Sequence, residues 1–286
     1  MIEEIRAALA RHRPHREVRT VVPLGGGVDH RAYEVDGELI VRISRGGDDG
    51  PGDDDPDREA RLLTAVGRLS PLPVPLPVFS DPETGVLAYA KVPGVPLLGR
   101  PVSAPGPLAA ALGGFLTALH TADAAPLRSV VPEDTDPPAA WLEEAASAYR
   151  EAAGRIPADL RSPIEAFLAA APPQEPPSRV LCHNDLGAEH ILVDEETGAV
   201  TGVIDWSDAA VADPMHDLGR LYRDLGPDVF ERVLSHYGGR CDRERVLYYA
   251  RCTVLEDIAY GLSAPDRRLY ADEGLAHLPW LFGTRE

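Results

Sequence analysis

The segment VLCHNDLGAEHILVD, residues 180–194, constrains this chain more than any other stretch. Two short apolar runs flank a polar loop that carries His183, Asp185 and His190. A further apolar run, 200–204, follows and stops at Asp205 and Trp206. Short apolar runs bounded by polar residues and glycine read as buried strands. Asp185 and Asp205 are therefore expected at the ends of neighbouring strand segments. A carboxylate closing an apolar strand is costly unless it is paired or binds a metal. One aspartate holding a divalent ion, beside another able to take a proton from a hydroxyl, is the layout of a phosphoryl-transfer site. There the protein mainly positions groups and compensates charge.

The charge balance narrows the partner. A formal net charge of −18 and a pI near 4.9 argue against nucleic acid or an anionic membrane and favour a cationic small molecule. Solvated acidic surface accounts for most of the excess. Lys91 is the only lysine, so a Walker A loop, which needs a Gly-Lys pair, is excluded. Cys182, Cys241 and Cys252 lack metal-ligand spacing and read as free thiols in a reducing compartment. The first residues are helical and charged rather than a signal peptide, and no run is long enough to span a membrane. The chain reads as a cytoplasmic monomer, its 286 residues forming one large domain or two sharing a cleft.

Taken in order, an N-terminal helix precedes strands at 17–24, 31–35 and 38–44, the last two joined by an Asp36-Gly37 turn. The glycines at 25–27 are either a plain turn or a loop that brings N–H groups against phosphate. An acidic, glycine-rich stretch, 46–55, leads to a helix over 55–68 that opens on Pro56. Residues 71–77, alternating with proline, read as a stiff extended connector, followed by strands at 78–80 and 86–92. Helices are expected around 108–119 and at 139–153, 164–171, 216–224, 229–237, 243–262 and 268–281. The break near 91–94 divides a small antiparallel-sheet lobe, 1–91, from a larger helical lobe, 92–286, an α+β arrangement.

Arg42 sits in the otherwise apolar strand LIVRI and is expected to point into the small lobe. A buried arginine needs an anion. Glu59 is the natural partner, either in a purely structural ion pair or in one that leaves guanidinium donors for phosphate. Two readings of the aspartates stay open. Magnesium prefers oxygen and needs only one or two protein carboxylates beside nucleotide phosphates. His190 offers nitrogen, which suits zinc better, so His183, Asp185, His190 and Asp205 also form a candidate hydrolytic metal cluster. No G-x-S-x-G, C-x-x-C or H-E-x-x-H motif supports other chemistry.

Together, HNDL at 183–186, VIDW at 203–206 and DPMHDL at 213–218 resemble the catalytic loop, metal-binding aspartate and helix start of the aminoglycoside phosphotransferase family. The resemblance covers nearly the whole chain and implies a two-lobed, protein-kinase-like fold that uses ATP or GTP with Mg2+. It makes Asp185 the residue that orients and deprotonates the substrate hydroxyl, with Asp205 and His190 carrying the metal. Most members have Asn at the place of His190; the macrolide and 2''-aminoglycoside branches are similar in carrying His. Gly26, Gly27, Asp29 and His30 match the nucleotide-covering loop, and Arg42, with Glu59, stands where a lysine usually holds the α- and β-phosphates. The hinge-like YAKVPG implies purine bonding by the backbones of Ala90 and Val92, while Asp213 and Asp217 are structural. Trp141, Glu256, Asp257 and Tyr260 are the candidate acceptor-site residues, equally readable as core aromatics and solvated acids. The function implied is phosphorylation of a hydroxyl on a cationic antibiotic. A small-metabolite kinase and a nucleotide-binding pseudokinase are the alternatives beside the hydrolase.

Overall fold

The computed structural model describes residues 2–25, 30–44 and 55–283. Helix α1 (Ile2–His12) lies on a five-stranded antiparallel sheet of β1 (Val21–Gly25), β2 (His30–Val35), β3 (Leu39–Ser44), β4 (Pro77–Asp81) and β5 (Val86–Ala90), in the order β1-β2-β3-β5-β4. The two-residue period of a strand sorts its side chains. Val35, Leu39, Val41, Ile43, Val86 and Ala88 meet Ile5, Ala8 and Leu9 of α1 in one buried cluster. The opposite parity, Ala32, Glu34, Ile40, Arg42 and Tyr89, lines a cleft on the other face. Arg42 is thus buried, at 11% side-chain exposure, but it faces the cleft rather than the lobe's apolar interior. Asp36 and Gly37 both have positive φ, 54° and 74°, as the β2–β3 hairpin turn requires.

Helix α2 (Pro56–Leu69) begins as its sequence directs: the Asp55 side chain accepts from the Asp57 N–H and Pro56 occupies the first turn. That start places Glu59 in the first turns, level with β3. The proline-rich connector is extended, and it does more than link: the Pro73 carbonyl accepts from the Val203 N–H at 3.0 Å. Gly202 permits this approach, because a Cβ there would come within 2.6 Å of the Pro73 oxygen.

The chain then passes through β6 (Val95–Pro96) into a helical half. Helix α3 (Pro105–His120) buries Leu108, Leu112, Phe115, Leu116 and Leu119. It is followed by α4 (Pro138–Ala152) and α5 (Ala158–Leu168). Two small sheets hold the loops of interest. β7 (Val180–Cys182) pairs with β10 (Ala210–Ala212), and β8 (Ile191–Val193) lies between β6 and β9 (Val200–Val203). Helices α6 (Pro214–His236), α7 (Arg243–Ser263) and α8 (Arg268–Phe282) complete the half. Helix α5 starts earlier than the expected 164 and contains Pro163 within it. Helix α6 is the two helices expected at 216–224 and 229–237, joined across a kink at Gly226, φ 71°. β1 is shorter than the predicted 17–24 strand. No helix among the described residues is long and apolar enough to cross a membrane.

Candidate active site

Two loops meet at one end of the small sheets: 183–190, from β7 to β8, and 204–209, from β9 to β10. His183 stitches them together. Its Nε2 lies 3.0 Å from the Ile204 carbonyl, and its Nδ1 accepts from the Asp185 N–H at 3.3 Å. The carbonyl can only accept, so the proton is assigned to Nε2. Burial pushes the His183 pKa down and keeps the ring neutral. With both nitrogens engaged, His183 is no metal ligand, which removes one member of the hydrolytic cluster.

The first loop is also held from below. Asp217, fully buried in the first turn of α6, accepts from the N–H groups of His183 (3.0 Å) and Asn184 (2.8 Å) and meets His120 Nε2 at 3.1 Å. Asp224 accepts from the Ala188 N–H at 2.7 Å. His216 Nδ1 and the Asn184 Oδ1 are 2.9 Å apart, with Trp141 packed on the His216 ring at 4.3 Å. Asn184 and Asp205 have φ of 66° and 61°. Asparagine and aspartate tolerate this left-handed region better than most residues.

The loops turn their polar side chains towards each other. His190 Nδ1 is 2.7 Å from the Asp185 carbonyl and so carries a proton, while Nε2 is turned towards Asp205 Oδ2, 3.7 Å away. Asp185 Oδ2 lies 3.4 Å from His190, and Oδ1 lies 2.8 Å from Arg220 on α6. Burial pushes the Asp185 carboxyl up, but Arg220 and the two histidines outweigh it and hold the group well below the usual carboxylate range. Burial also pushes Asp205 up, and His190 and Arg42 reverse the sign. For His190 burial opposes the charge, while Asp185, Glu189 and Asp205 raise the pKa above its ordinary value.

Arg42 reaches the same place from the sheet. Its Nη1 is 2.6 Å from Glu59 and 3.9 Å from Asp205 Oδ1. Arg42 and Asp205 line a cleft of about 580 Å³ whose apolar walls are Leu24, Ile40, Val92, Leu192 and Ile204, with Glu34 and Lys91 also in its polar lining. The Ala90 N–H is taken by the Leu76 carbonyl at 2.9 Å, so of the hinge backbone expected at Ala90 and Val92 this N–H is already used within the protein. Gly26, Gly27 and Asp29 lie outside the described residues, and of His30 only the strand backbone is described.

On the opposite side of Asp185 the acceptor candidates spread out. Glu256 Oε1 is buried without a hydrogen-bond partner among the described residues. Burial pushes its carboxyl up to about 7, with Arg220 opposing and Glu144 reinforcing the shift. Asp257 is held by Arg223 at 2.7 Å. Tyr260 is 42% exposed and packs edge-on to Tyr270. Trp141 braces the loop through His216, so that part of its surface is occupied by the protein itself. Arg220 and Glu189 escaped the sequence reading. Arg220 was within reach of it, because it follows Asp217 by one helical turn and shares its face.

Asp205 Oδ2 and the deprotonated Nε2 of His190, from different loops and 3.7 Å apart, could together hold one divalent cation with positions left for water and phosphate oxygens. The arrangement thus joins an apolar slot, a phosphate-compatible cation, a metal-compatible pair and an ionised carboxylate.

Comparison with known proteins gives the same direction. The profile of a family described as phosphotransferase enzymes matches residues 20–249. A viomycin phosphotransferase from Streptomyces vinaceus is 27% identical over 199 residues, covering 66% of this chain and 68% of its own length. Among solved structures, a macrolide 2'-phosphotransferase from Brachybacterium faecium is 26% identical with a TM-score of 0.65, covering 99% of this chain and 98% of its own. The GDP and kanamycin complex of APH(2")-IIia superposes with a TM-score of 0.71 over 96% of this chain and 97% of the other. At 22% identity that last likeness speaks for the fold.

Proposed function

This chain belongs to the phosphotransferase enzyme family, and from that premise we propose that it moves the γ-phosphoryl group of ATP or GTP onto a hydroxyl of a cationic antibiotic. The observation that carries the reading is the convergence of Asp185, His190, Asp205 and Arg42 from two loops and a strand, with Arg42 and Asp205 also lining one cleft. Residues 1–91 then form the nucleotide-binding lobe and 92–286 the catalytic and acceptor lobe. The purine lies between Ile40, Val92 and Leu192, with the Ala90 carbonyl and the Val92 backbone at its edge. Arg42, kept in place by Glu59, faces the phosphates.

Asp205 and His190 would hold Mg2+, which supplies charge compensation for the triphosphate when bound. Asp185 accepts the hydrogen bond of the acceptor hydroxyl and then its proton. As it does, the hydroxyl oxygen bonds to the γ-phosphorus, the β–γ bridging bond breaks and the nucleoside diphosphate leaves. An aspartate held ionised is a weak base, so orientation of the hydroxyl is the larger part of its contribution. Glu256, whose buried Oε1 has no hydrogen-bond partner among the described residues, with Glu144 near it, favours a cationic acceptor. The viomycin, macrolide and aminoglycoside relatives narrow the candidates to basic antibiotics.

The test is a panel of aminoglycosides, macrolides and basic peptide antibiotics, incubated with Mg2+ and either ATP or GTP and followed by mass spectrometry. Gain of one phosphoryl group by a member of the panel is expected. Modification that proceeds without nucleotide, or no nucleotide binding at all, would overturn the proposal.

A further inference from the structure

We propose that Arg220 is a positioning residue for this transfer: its guanidinium holds Asp185 by one oxygen and leaves the other to the acceptor hydroxyl. The inference rests on the function proposed above. Asp217 and Arg220 lie one turn apart on α6, the first gripping the backbone of the catalytic loop and the second its carboxylate. The Nη1 of Arg220 is 2.8 Å from Asp185 Oδ1, whereas Oδ2 is turned to His190 at 3.4 Å. Asp185 retains 24% side-chain exposure, so Oδ2 can be approached.

General neutralisation of acidic residues does not account for Arg220. Asp224 and Asp257, the acids beside it on α6 and α7, already have Arg223, at 2.6 Å and 2.7 Å. Asp185 is the one carboxylate within 4.0 Å of Arg220 among the described residues, and the Arg220 Nε has no hydrogen-bond partner among them. An arginine left partly unsatisfied at 11% exposure, with its one ion pair to the reacting carboxylate, is placed for that carboxylate. The contact joins one nitrogen to one oxygen and does not use the guanidinium fork. A lysine that reaches the same point therefore preserves it, unlike at a bidentate site.

During transfer the acceptor proton passes to Oδ2 while the hydroxyl oxygen bonds to the γ-phosphorus and the diphosphate departs with the electrons of the β–γ bridge. Arg220 stays on Oδ1 throughout and exchanges no proton. Without it the carboxylate can rotate about its Cβ–Cγ bond, and a misplacement of about 1 Å costs on the order of 100-fold in rate.

The experiment compares wild type, Arg220→Lys and Arg220→Met in steady-state kinetics with the acceptor found by the panel, and measures nucleotide affinity by calorimetry. Expected are a roughly 100-fold lower kcat for R220M, nucleotide affinity within about twofold of wild type, and recovery to within about tenfold in R220K. Arg220→Gln serves as the neutral variant if R220M does not fold. Unchanged kcat in the neutral variant overturns the inference. So does a matching loss of kcat, nucleotide affinity and thermal stability in R220K and the neutral variant, which is the mark of a structural arginine. A wild-type enzyme that phosphorylates no acceptor removes the parent reading and this one with it, a result distinct from either.

Discussion

Replacing Asp217 with asparagine should disable the catalytic loop from a position that touches no substrate. The carboxylate is fully buried and receives two backbone N–H groups, from His183 at 3.0 Å and Asn184 at 2.8 Å, and faces His120 Nε2 at 3.1 Å. Burial pushes its pKa up, but the His120 hydrogen bond and nearby histidines bring it below the ordinary value, so the acceptor is ionised. An asparagine has one oxygen. Whichever way the amide is turned, its NH2 meets a backbone N–H, and at least one buried donor is stranded. A stranded donor costs about 1–3 kcal/mol, and hydrogen bonds to a charged group add about 1.5–3 kcal/mol that is partly lost. A net destabilisation of about 2–4 kcal/mol follows, a fall in Tm of roughly 3–7 °C at this chain length. The stranded N–H moves away from the amide and carries Asp185 with it, so kcat should drop by about 100-fold while nucleotide KM changes little. Differential scanning calorimetry and initial rates at saturating substrates read both quantities. Wild-type kcat in a D217N protein that has lost the expected stability would refute the coupling between helix and loop.

The remaining expectations are simpler. Asp185→Ala should abolish phosphoryl transfer and leave nucleotide affinity near wild type by calorimetry; residual turnover close to wild type would remove Asp185 from its role. Burial pushes the pKa of His216 down to about 3 and that of His277 to about 4, from 6.5 in the unfolded chain. The unfolded chain therefore takes up their protons first. The stability they hold is intact above pH 6.5 and is lost as pH falls towards the folded values, at about 1.4 kcal/mol per unit for each histidine. Urea unfolding between pH 7 and 5 should show the decline, with the slope reduced by one histidine's share in His277→Gln; an equal slope in that variant contradicts the assignment. Glu256, raised to about 7 by burial, ionises as pH rises through that value. The acceptor KM should accordingly fall between pH 6 and 8. Glu256→Gln should flatten this dependence and weaken a cationic acceptor by roughly tenfold; an unaltered KM at pH 8 counts against an acceptor role.

The segment 180–206 was legible because its chemistry is written in local order: apolar strands, then polar loops whose ends must coincide once the strands pair. The face of α3 was legible for the same kind of reason, since Leu108, Leu112, Phe115, Leu116 and Leu119 repeat at the helical period and are all buried. Arg42 and Glu59 could be paired from sequence because a strand and the helix after it are neighbours in most folds, and their ion pair is 2.6 Å long. What could not be read depends on register between distant elements. The side of β3 that faces the cleft follows from how α1 covers the other face, so the strand sequence alone points Arg42 into the lobe rather than into the cleft. The use of the Ala90 N–H by Leu76 depends on where the proline-rich connector lies. Arg220 lies far from Asp185 in sequence, and only the anchoring of His183 and Asn184 on Asp217 brings α6 to the loop in the right rotation.

His190 shows how a substitution in a motif can keep its physics. An asparagine at this place offers an amide N–H and a carbonyl oxygen, one for the loop and one for a cation. His190 divides the same duties between its ring nitrogens: Nδ1–H on the Asp185 carbonyl at 2.7 Å, and Nε2 towards Asp205 at 3.7 Å. With the donor changed from oxygen to nitrogen, a metal held by His190 and Asp205 would be expected to shift in preference towards ions such as Mn2+ relative to Mg2+. His183 cannot take a similar part, because its two nitrogens already join the loops. Of the two histidines that flank Asp185, one fixes the backbone and the other is left free to bind. Each ring gives one nitrogen to a backbone carbonyl, and the difference is that the second nitrogen of His183 is taken by the Asp185 N–H.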